Sequence, residues 1–413
     1  MKSLLTEVAR GAGERRRAKR AARVAGVSVV VLALAGVKLL MHLATTGAFG
    51  YGFFVDELYF LACAQHLDWG FVDMPPLFPL ITAAARALLG DSLLAVRVVP
   101  MLAGAGLVLL TGLITRDLGG GRVAQGLAGL AVLAAPIYML AHGVHTMNAL
   151  DPLFWMGCAW ALIRRIRDDQ PRWWLVFGAL AGLGSLNKHS MLFFGVAVAA
   201  GVVLTRLRRD LSERWIWLGA LLALAVFLPN LIWLIAHGFP HLEHLASIRA
   251  DGRDVAMNPA LFMAQQALML NPVSLPLWLG GLAWLLFDAR GAVHRALGLA
   301  YLALLAEMFL MDGRVYYTAP FYPLLFAAGG VALQAWTARR PGGARRWHAA
   351  LVGLLVVSGL VLAPAALPCL PPELFVRYAE ATGINQPRVE NHRLGPLPQL
   401  FADRFGWPEM TEV

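Results

Sequence analysis

Asp56 and Glu57 stand side by side in a polar loop after the first long apolar stretch, and Asp73-Met74-Pro75-Pro76 follows in the same loop. The chain is otherwise poor in acid, with 25 Asp+Glu in 413 residues. A carboxylate pair at a membrane surface is equipped to take a proton from a hydroxyl held beside it. Consecutive side chains on a helix diverge by about 100°, so one serves as base while the other orients a neighbour. The same pattern permits a structural role, with Asp56 capping a helix and Glu57 complementing its dipole. Other candidates lie at the ends of apolar stretches. Lys188 is flanked by Asn187 and His189, and Arg314 is followed by Tyr316 and Tyr317. Asp151, just before Pro152, is placed either to cap a helix or to position His145, Asn148 or Lys188. Arg97 is placed to pair with Asp56, Glu57 or Asp73. Ionisable groups at membrane depth are costly and call for a partner or a function. Snorkelling accounts for Lys38 and offers a second reading of Lys188. An aromatic belt does the same for the tyrosines. Glu307 is expected to pair, with Arg314 as the nearest candidate.

Composition decides what carries these residues. The chain is 59% hydrophobic and 15% charged, with mean hydropathy +0.63; a soluble domain carries roughly 25% charged residues. This pattern excludes a soluble protein and indicates an all-α polytopic membrane protein, whose spans satisfy their own backbone groups. The net charge is +10, but the bases cluster between apolar stretches, which is the positive-inside pattern and not a nucleic-acid surface. Crossing a core of roughly 30 Å takes about 20 helical residues, and about eleven stretches qualify as transmembrane helices. They lie near 24–43, 93–114, 123–140, 150–166, 173–186, 191–204, 215–235, 273–287, 297–311, 320–336 and 349–367.

With the N-terminus inside, every inside connection is basic: Arg116 and Arg122; Arg164, Arg165, Arg167 and Arg172; Arg206, Arg208, Arg209 and Arg214; Arg290 and Arg295; Arg339, Arg340, Arg345 and Arg346. The cluster Arg10, Arg15, Arg16, Arg17, Lys19, Arg20 and Arg23 precedes a first stretch too long for a signal peptide, so it reads as an uncleaved anchor. The N-terminus is then cytoplasmic and the C-terminus lies on the outer, periplasmic side of the cell membrane. Residues 1–367 form one transmembrane unit and 368–413 a short outer-face tail. The first outer loop, 44–92, holds two amphipathic stretches, 54–67 and 75–89. Both read as interfacial helices, the second started by Pro75-Pro76. Gly178 and Gly182 mark close helix packing. Cys63, Cys158 and Cys369 form no CxxC pair, so a structural zinc site is not expected; a Cys63–Cys369 disulfide is left open. His237, His241 and His244 have ligand-like spacing around Glu243, but a loop with scattered histidines is the commoner case, and no metal is expected.

The motifs, in their order, resemble a known family. Asp56-Glu57-Leu58-Tyr59-Phe60, His66-Leu67-Asp68-Trp69-Gly70-Phe71-Val72-Asp73-Met74-Pro75-Pro76-Leu77 and Ala95-Val96-Arg97 resemble the first outer loop of GT-C glycosyltransferases. The protein O-mannosyltransferase-like family (glycosyltransferase family 39), with its bacterial lipid A- and lipopolysaccharide-modifying members, is the most similar. The likeness continues in Asn148-Ala149-Leu150-Asp151-Pro152-Leu153, in Gly182-Leu183-Gly184-Ser185-Leu186-Asn187-Lys188-His189, and in Arg314-Val315-Tyr316-Tyr317-Thr318-Ala319-Pro320-Phe321-Tyr322-Pro323. It spans most of the membrane part, 50–330.

The resemblance implies a GT-C helix bundle. It also implies a hexosyl- or pentosyltransferase that moves a sugar from a polyprenyl-phosphate donor to a hydroxyl of a lipid, glycan or protein at the outer membrane face. Asp56 matches the family's general base, with Glu57 beside it. The family often has Lys or His where this chain has Met74, and some relatives have Arg where it has Tyr59, so donor contacts must come from elsewhere. A departing phosphate needs a fixed cation or dense donors. Lys188, Arg314, Tyr316 and Tyr317 are the candidates, with Tyr59, Asp73, Arg97, Asp151 and His189 lining or supporting the cavity. Neither a nucleotide site nor a cofactor is expected. A multi-pass transporter or flippase shares the spans and intramembrane charges, but transporters often carry internal repeats, and none is visible. The enzyme reading requires Asp56, Lys188 and Arg314 to converge on one outward-facing cavity.

Overall fold

A computed structural model describes residues 27–251, 257–340, 342–384, 395–407 and 410. The basic cluster Arg10–Arg23 and the start of the first expected span lie outside them. The described residues are all-α, with no strand. Every expected apolar stretch is helical. In chain order the helices are α1 (Val29–Thr45), α2 (Val55–Cys63), α3 (Leu77–Leu89), α4 (Leu93–Asp117), α5 (Arg122–Ala134), α6 (Pro136–Ala141), α7 (Asp151–Asp168), α8 (Trp173–Asn187) and α9 (Met191–Val203). The second half continues with α10 (Arg214–Ala236), α11 (Pro240–Ala250), α12 (Pro259–Met269), α13 (Leu275–Phe287), α14 (Arg295–Leu310), α15 (Tyr322–Ala338), α16 (Ala344–Ala366), α17 (Pro372–Thr382) and α18 (Gln399–Ala402).

Length separates these helices. Four are long and apolar enough to cross a membrane: α4, α10, α16 and the segment Ala292–Leu310 that contains α14. Two bent pairs, at 102° and 99°, raise the number to six. The other expected spans are in place but fall short of a full crossing, while α11, α12, α17 and α18 match no expected span. α8 has 15 residues and α9 and α13 have 13, which at 1.5 Å per residue is about 20 Å. The stretch 123–140 is divided at Ala135, whose extended backbone (φ −83, ψ 121) precedes Pro136, the restriction a following proline imposes.

Ser92 starts α4 by accepting from the Ala95 amide at 3.2 Å, an N-cap. α4 packs on α1, α5 and α7; α10 lies along α8, α9 along α14, and α13 along α15. Gly178 of α8 meets Gly219 of α10 so closely that a Cβ on Gly178 would lie 2.0 Å from the Gly219 carbonyl oxygen. The close approach read from Gly178 and Gly182 is therefore met on the α10 side. One end of the bundle is a basic network. Asp117 binds Arg116, Arg164 and Arg167, and Asp210 binds Arg165 and the Trp174 indole.

At the other end, α2 and α3 form the first loop, the one expected to face outside. The described part of the tail folds back onto it. Phe375 of α17 and Phe401 of α18 pack with Tyr51 in a small apolar cluster, and the Arg404 carbonyl accepts from the Gly52 amide at 3.2 Å.

Candidate active site

The site is built outward from the start of α2. Its N-cap residue is Phe54, which has no side-chain acceptor. Glu57, three residues on, supplies one: its Oε2 accepts from the Phe54 amide at 2.8 Å. The same carboxylate accepts from Arg97 Nε (2.8 Å) and Nη2 (2.7 Å) and from the His145 amide (2.7 Å). Glu57 is 0% and Arg97 1% exposed. Burial pushes the Glu57 carboxyl up, but the Arg97 hydrogen bonds and charge, with the two amides, outweigh it and hold the group below the usual glutamate range. Glu57, expected as a catalytic partner of Asp56, is thus a structural cap and ion-pair centre. Its phase on the helix turns it inward. The capping role offered to Asp56 belongs to Glu57.

Asp56 lies in the first turn of α2 on the exposed face. Tyr59, three residues on and on the same face, donates to Asp73 Oδ1 at 2.7 Å. Burial and this contact with Asp73 raise the Tyr59 hydroxyl well above its ordinary pKa. Met74 is fully buried with Phe60, Cys63 and Phe78, so the position where relatives carry a cation is here a core position. Pro75-Pro76 precede α3 as expected.

The loop 142–150 joins this acid side to the basic side. His145 donates its amide to Glu57, and its ring Nε2 lies 2.8 Å from Thr82 Oγ1. Burial lowers the His145 ring to about 4, so it is neutral at pH 7. Three residues later, Asn148 Oδ1 accepts from Lys188 Nζ at 2.6 Å. Lys188 follows the last turn of α8, where its amide bonds to the Gly184 carbonyl. Its Nζ lies 4.0 Å from Asp151 Oδ2 and 5.2 and 5.1 Å from the ring centres of Tyr316 and Tyr317. Asp151 also accepts from Ser190 Oγ at 3.0 Å. Arg314 directly precedes the 3-10 segment Val315–Phe321 that carries both tyrosines. That segment is pinned by Gln266, whose Nε2 donates to the Val315 carbonyl (2.6 Å) and whose Oε1 accepts from Thr318 (2.9 Å). The ammonium therefore sits among a neutral acceptor, a carboxylate and two ring faces, a geometry with cation–π stabilisation.

Other expectations fare differently. Lys38 does not snorkel: it is 0% exposed, and Nζ donates to the Tyr138 carbonyl at 2.8 Å. The Glu307–Arg314 pairing is not formed, and both Glu307 carboxylate oxygens are buried without a hydrogen-bond partner. Cys63, Cys158 and Cys369 are all free thiols. Among the described residues, no group of three or more His, Cys, Asp or Glu is arranged to hold a metal ion. His237 instead stacks on Trp233, and His241 lies tilted against His189 with ring centres 4.8 Å apart. The sequence reading missed Asn230. Its only signal was an amide in an otherwise apolar span.

The bundle shares its fold with solved structures of ArnT and of an archaeal oligosaccharyltransferase. Residues 73–233 match the family model described as dolichyl-phosphate-mannose-protein mannosyltransferase; this stretch holds Asp73, Arg97, Asp151 and Lys188, while Asp56-Glu57 and the 314–323 segment lie outside it. Among solved structures, apo ArnT from Cupriavidus metallidurans is similar with a TM-score of 0.61 and 19% identity, over 82% of this chain and 65% of that one. ArnT from the same organism bound to undecaprenyl phosphate gives 0.60 and 17%, over 91% and 74%. The oligosaccharyltransferase of Archaeoglobus fulgidus, in complex with zinc and sulfate, gives 0.55 and 11%, over 92% and 59%. At these identities the likeness is one of fold, and this chain spans about two thirds of the length of ArnT. No curated protein sequence matches the chain.

Proposed function

We propose that this protein transfers a sugar from a polyprenyl-phosphate donor to an acceptor hydroxyl at the outer face of the membrane, with Asp56 as general base and Lys188 as the donor-phosphate cation. The observation that carries this reading is the loop 142–150. It binds the neighbour of Asp56 through His145 and the Lys188 ammonium through Asn148, three residues apart. The neighbour of the proposed base and the proposed cation, held by one short loop, suit a reaction that removes a proton at one end and receives a phosphate at the other. Asp56 takes the acceptor proton as the hydroxyl oxygen attacks the anomeric carbon. The new C–O bond forms as the bond to the phosphate oxygen breaks, and the polyprenyl phosphate leaves toward Lys188, with Arg314, Tyr316 and Tyr317 beside it. Fixed donors at the point of growing charge act in the transition state, and the prenyl chain between helices supplies remote binding energy. The undecaprenyl phosphate bound by ArnT supports a lipid-linked donor.

The test is transfer of labelled sugar from candidate polyprenyl-phosphate sugars in membranes holding the wild type, Asp56→Asn or Lys188→Met. Loss of a general base is expected to lower the rate roughly 10²–10⁴-fold, and loss of the cation about 10²–10³-fold. A folded Asp56→Asn protein with full activity would remove the base assignment.

A further inference from the structure

We propose that Asn230 is a positioning residue that locks the first outer loop to the Lys188 turn, so that the acceptor and donor halves of the site keep one register; this rests on the function proposed above. Asn230 lies in α10, follows Pro229 and is 0% exposed. Its two amide atoms serve two different segments. Nδ2 donates to the Trp69 carbonyl at 2.7 Å, in the loop between α2 and α3. Oδ1 lies 3.2 Å from His189 Nε2, next to Lys188. With the donor side spent on Trp69, Oδ1 accepts, and His189 carries its proton on Nε2. An amide offers a donor and an acceptor from one short planar group. A buried carboxylate would leave one partner unmatched and an aliphatic residue both, which costs more than the bond itself gains.

The loop is shaped for this contact. A Cβ on Gly70 would lie 2.3 Å from Trp233 Cε3 and 2.9 Å from Asn230 Nδ2, so the backbone can approach only as glycine. Trp233, one turn along α10, donates its indole N–H to Asp68 Oδ2 at 2.9 Å. The loop is therefore held at Asp68, Trp69 and Gly70, shortly before Asp73, which receives the Tyr59 hydroxyl. On the other side His189 is faced by Phe227 of α10 at 6.2 Å and by His241 of α11 at 4.8 Å between ring centres, with Lys188 adjacent in the chain. These are the groups that set its charge, together with Asn230. None is an acid, and burial lowers the ring to about 4.

Two variants test the joint from its two sides. Asn230→Asp keeps the acceptor toward His189 and removes the donor to Trp69. Gly70→Ala disturbs the contact from the loop without altering α10. Both are expected to raise hydrogen–deuterium exchange of the 66–74 amides while α4 stays protected. Both are also expected to raise the acceptor KM about tenfold or more, as misplacement of a positioned group does. Asn230→Asp alone is expected to add an ionisation between pH 5 and 7 to the rate profile, since its carboxylate faces the His189 ring. His189→Gln in that background is expected to remove the ionisation. Wild-type exchange and KM in both variants would overturn the proposal, as would an exchange increase spread evenly over all helices. Should Lys188→Met keep full transfer, the functional reading fails separately, and the exchange result still decides whether Asn230 holds the loop.

Discussion

Asp56 and Glu57 are chain neighbours with opposite surroundings, one exposed on the outer face and the other sealed under four hydrogen bonds. Glu57→Gln leaves the buried Arg97 guanidinium without its counter-charge and is expected to destabilise the protein by about 3–5 kcal/mol, read as a drop in Tm in detergent. Replacing both partners, Glu57→Leu with Arg97→Met, is expected to recover much of that loss. Because the Glu57 carboxyl is held low, its contribution is fully present above the ordinary glutamate value and is lost only as pH falls through the lower folded value. His145 and His189 act earlier. Their folded rings titrate at about 4, against about 6.5 for a free imidazole. The unfolded chain binds those protons first, so stability falls as pH drops from about 6.5 toward 4. A Tm-versus-pH curve is expected to show this slope before the carboxylates titrate, and His145→Gln and His189→Gln to flatten it. The sequence made an acid–Arg97 pair legible but not which acid. Helical spacing separates residues 56 and 57 by face, and only the unfilled cap at Phe54 fixes which face turns inward.

At the scale of elements, apolar runs located the helices, and polar punctuation located the outer loop. Their lengths were less legible, because runs of hydrophobic residues continue across breaks such as Ala135 and through the bends at 102° and 99°. Helix contact was legible only in part. Gly178 and Gly182 signalled close approach, while their partners, Gly219 for Gly178 and Ala223 and Val226 for Gly182, lay outside that motif. Gly178→Leu drives a side chain into the Gly219 carbonyl and is expected to part α8 from α10, with loss of the monodisperse peak on size exclusion; overpacking alone costs about 1–3 kcal/mol. Met74→Lys is a sharper test of what departs from the family pattern. The side chain packs among Phe60, Cys63 and Phe78, so a lysine there is expected to lower Tm by burying an unpaired charge and to leave the donor KM no better.

For the whole molecule, fold class could be read before any coordinates, because lipid as solvent forces the helices to satisfy their own backbone groups. Convergence could not. The contacts among the candidate residues and their supports join Glu57 to His145, Asn148 to Lys188 and Trp69 to Asn230, pairs far apart in sequence that periodicity does not connect. The described part of the 368–413 tail contacts Gly52 and Tyr51 at the root of the loop that carries Asp56. Deleting 368–413 is expected to spare membrane insertion, judged by extraction and accessibility of the basic loops, while reducing transfer. The timing of biosynthesis follows from that contact. Arg404 leaves the ribosome after α1–α18, so its bond to Gly52 closes the first loop only once those helices have been synthesised.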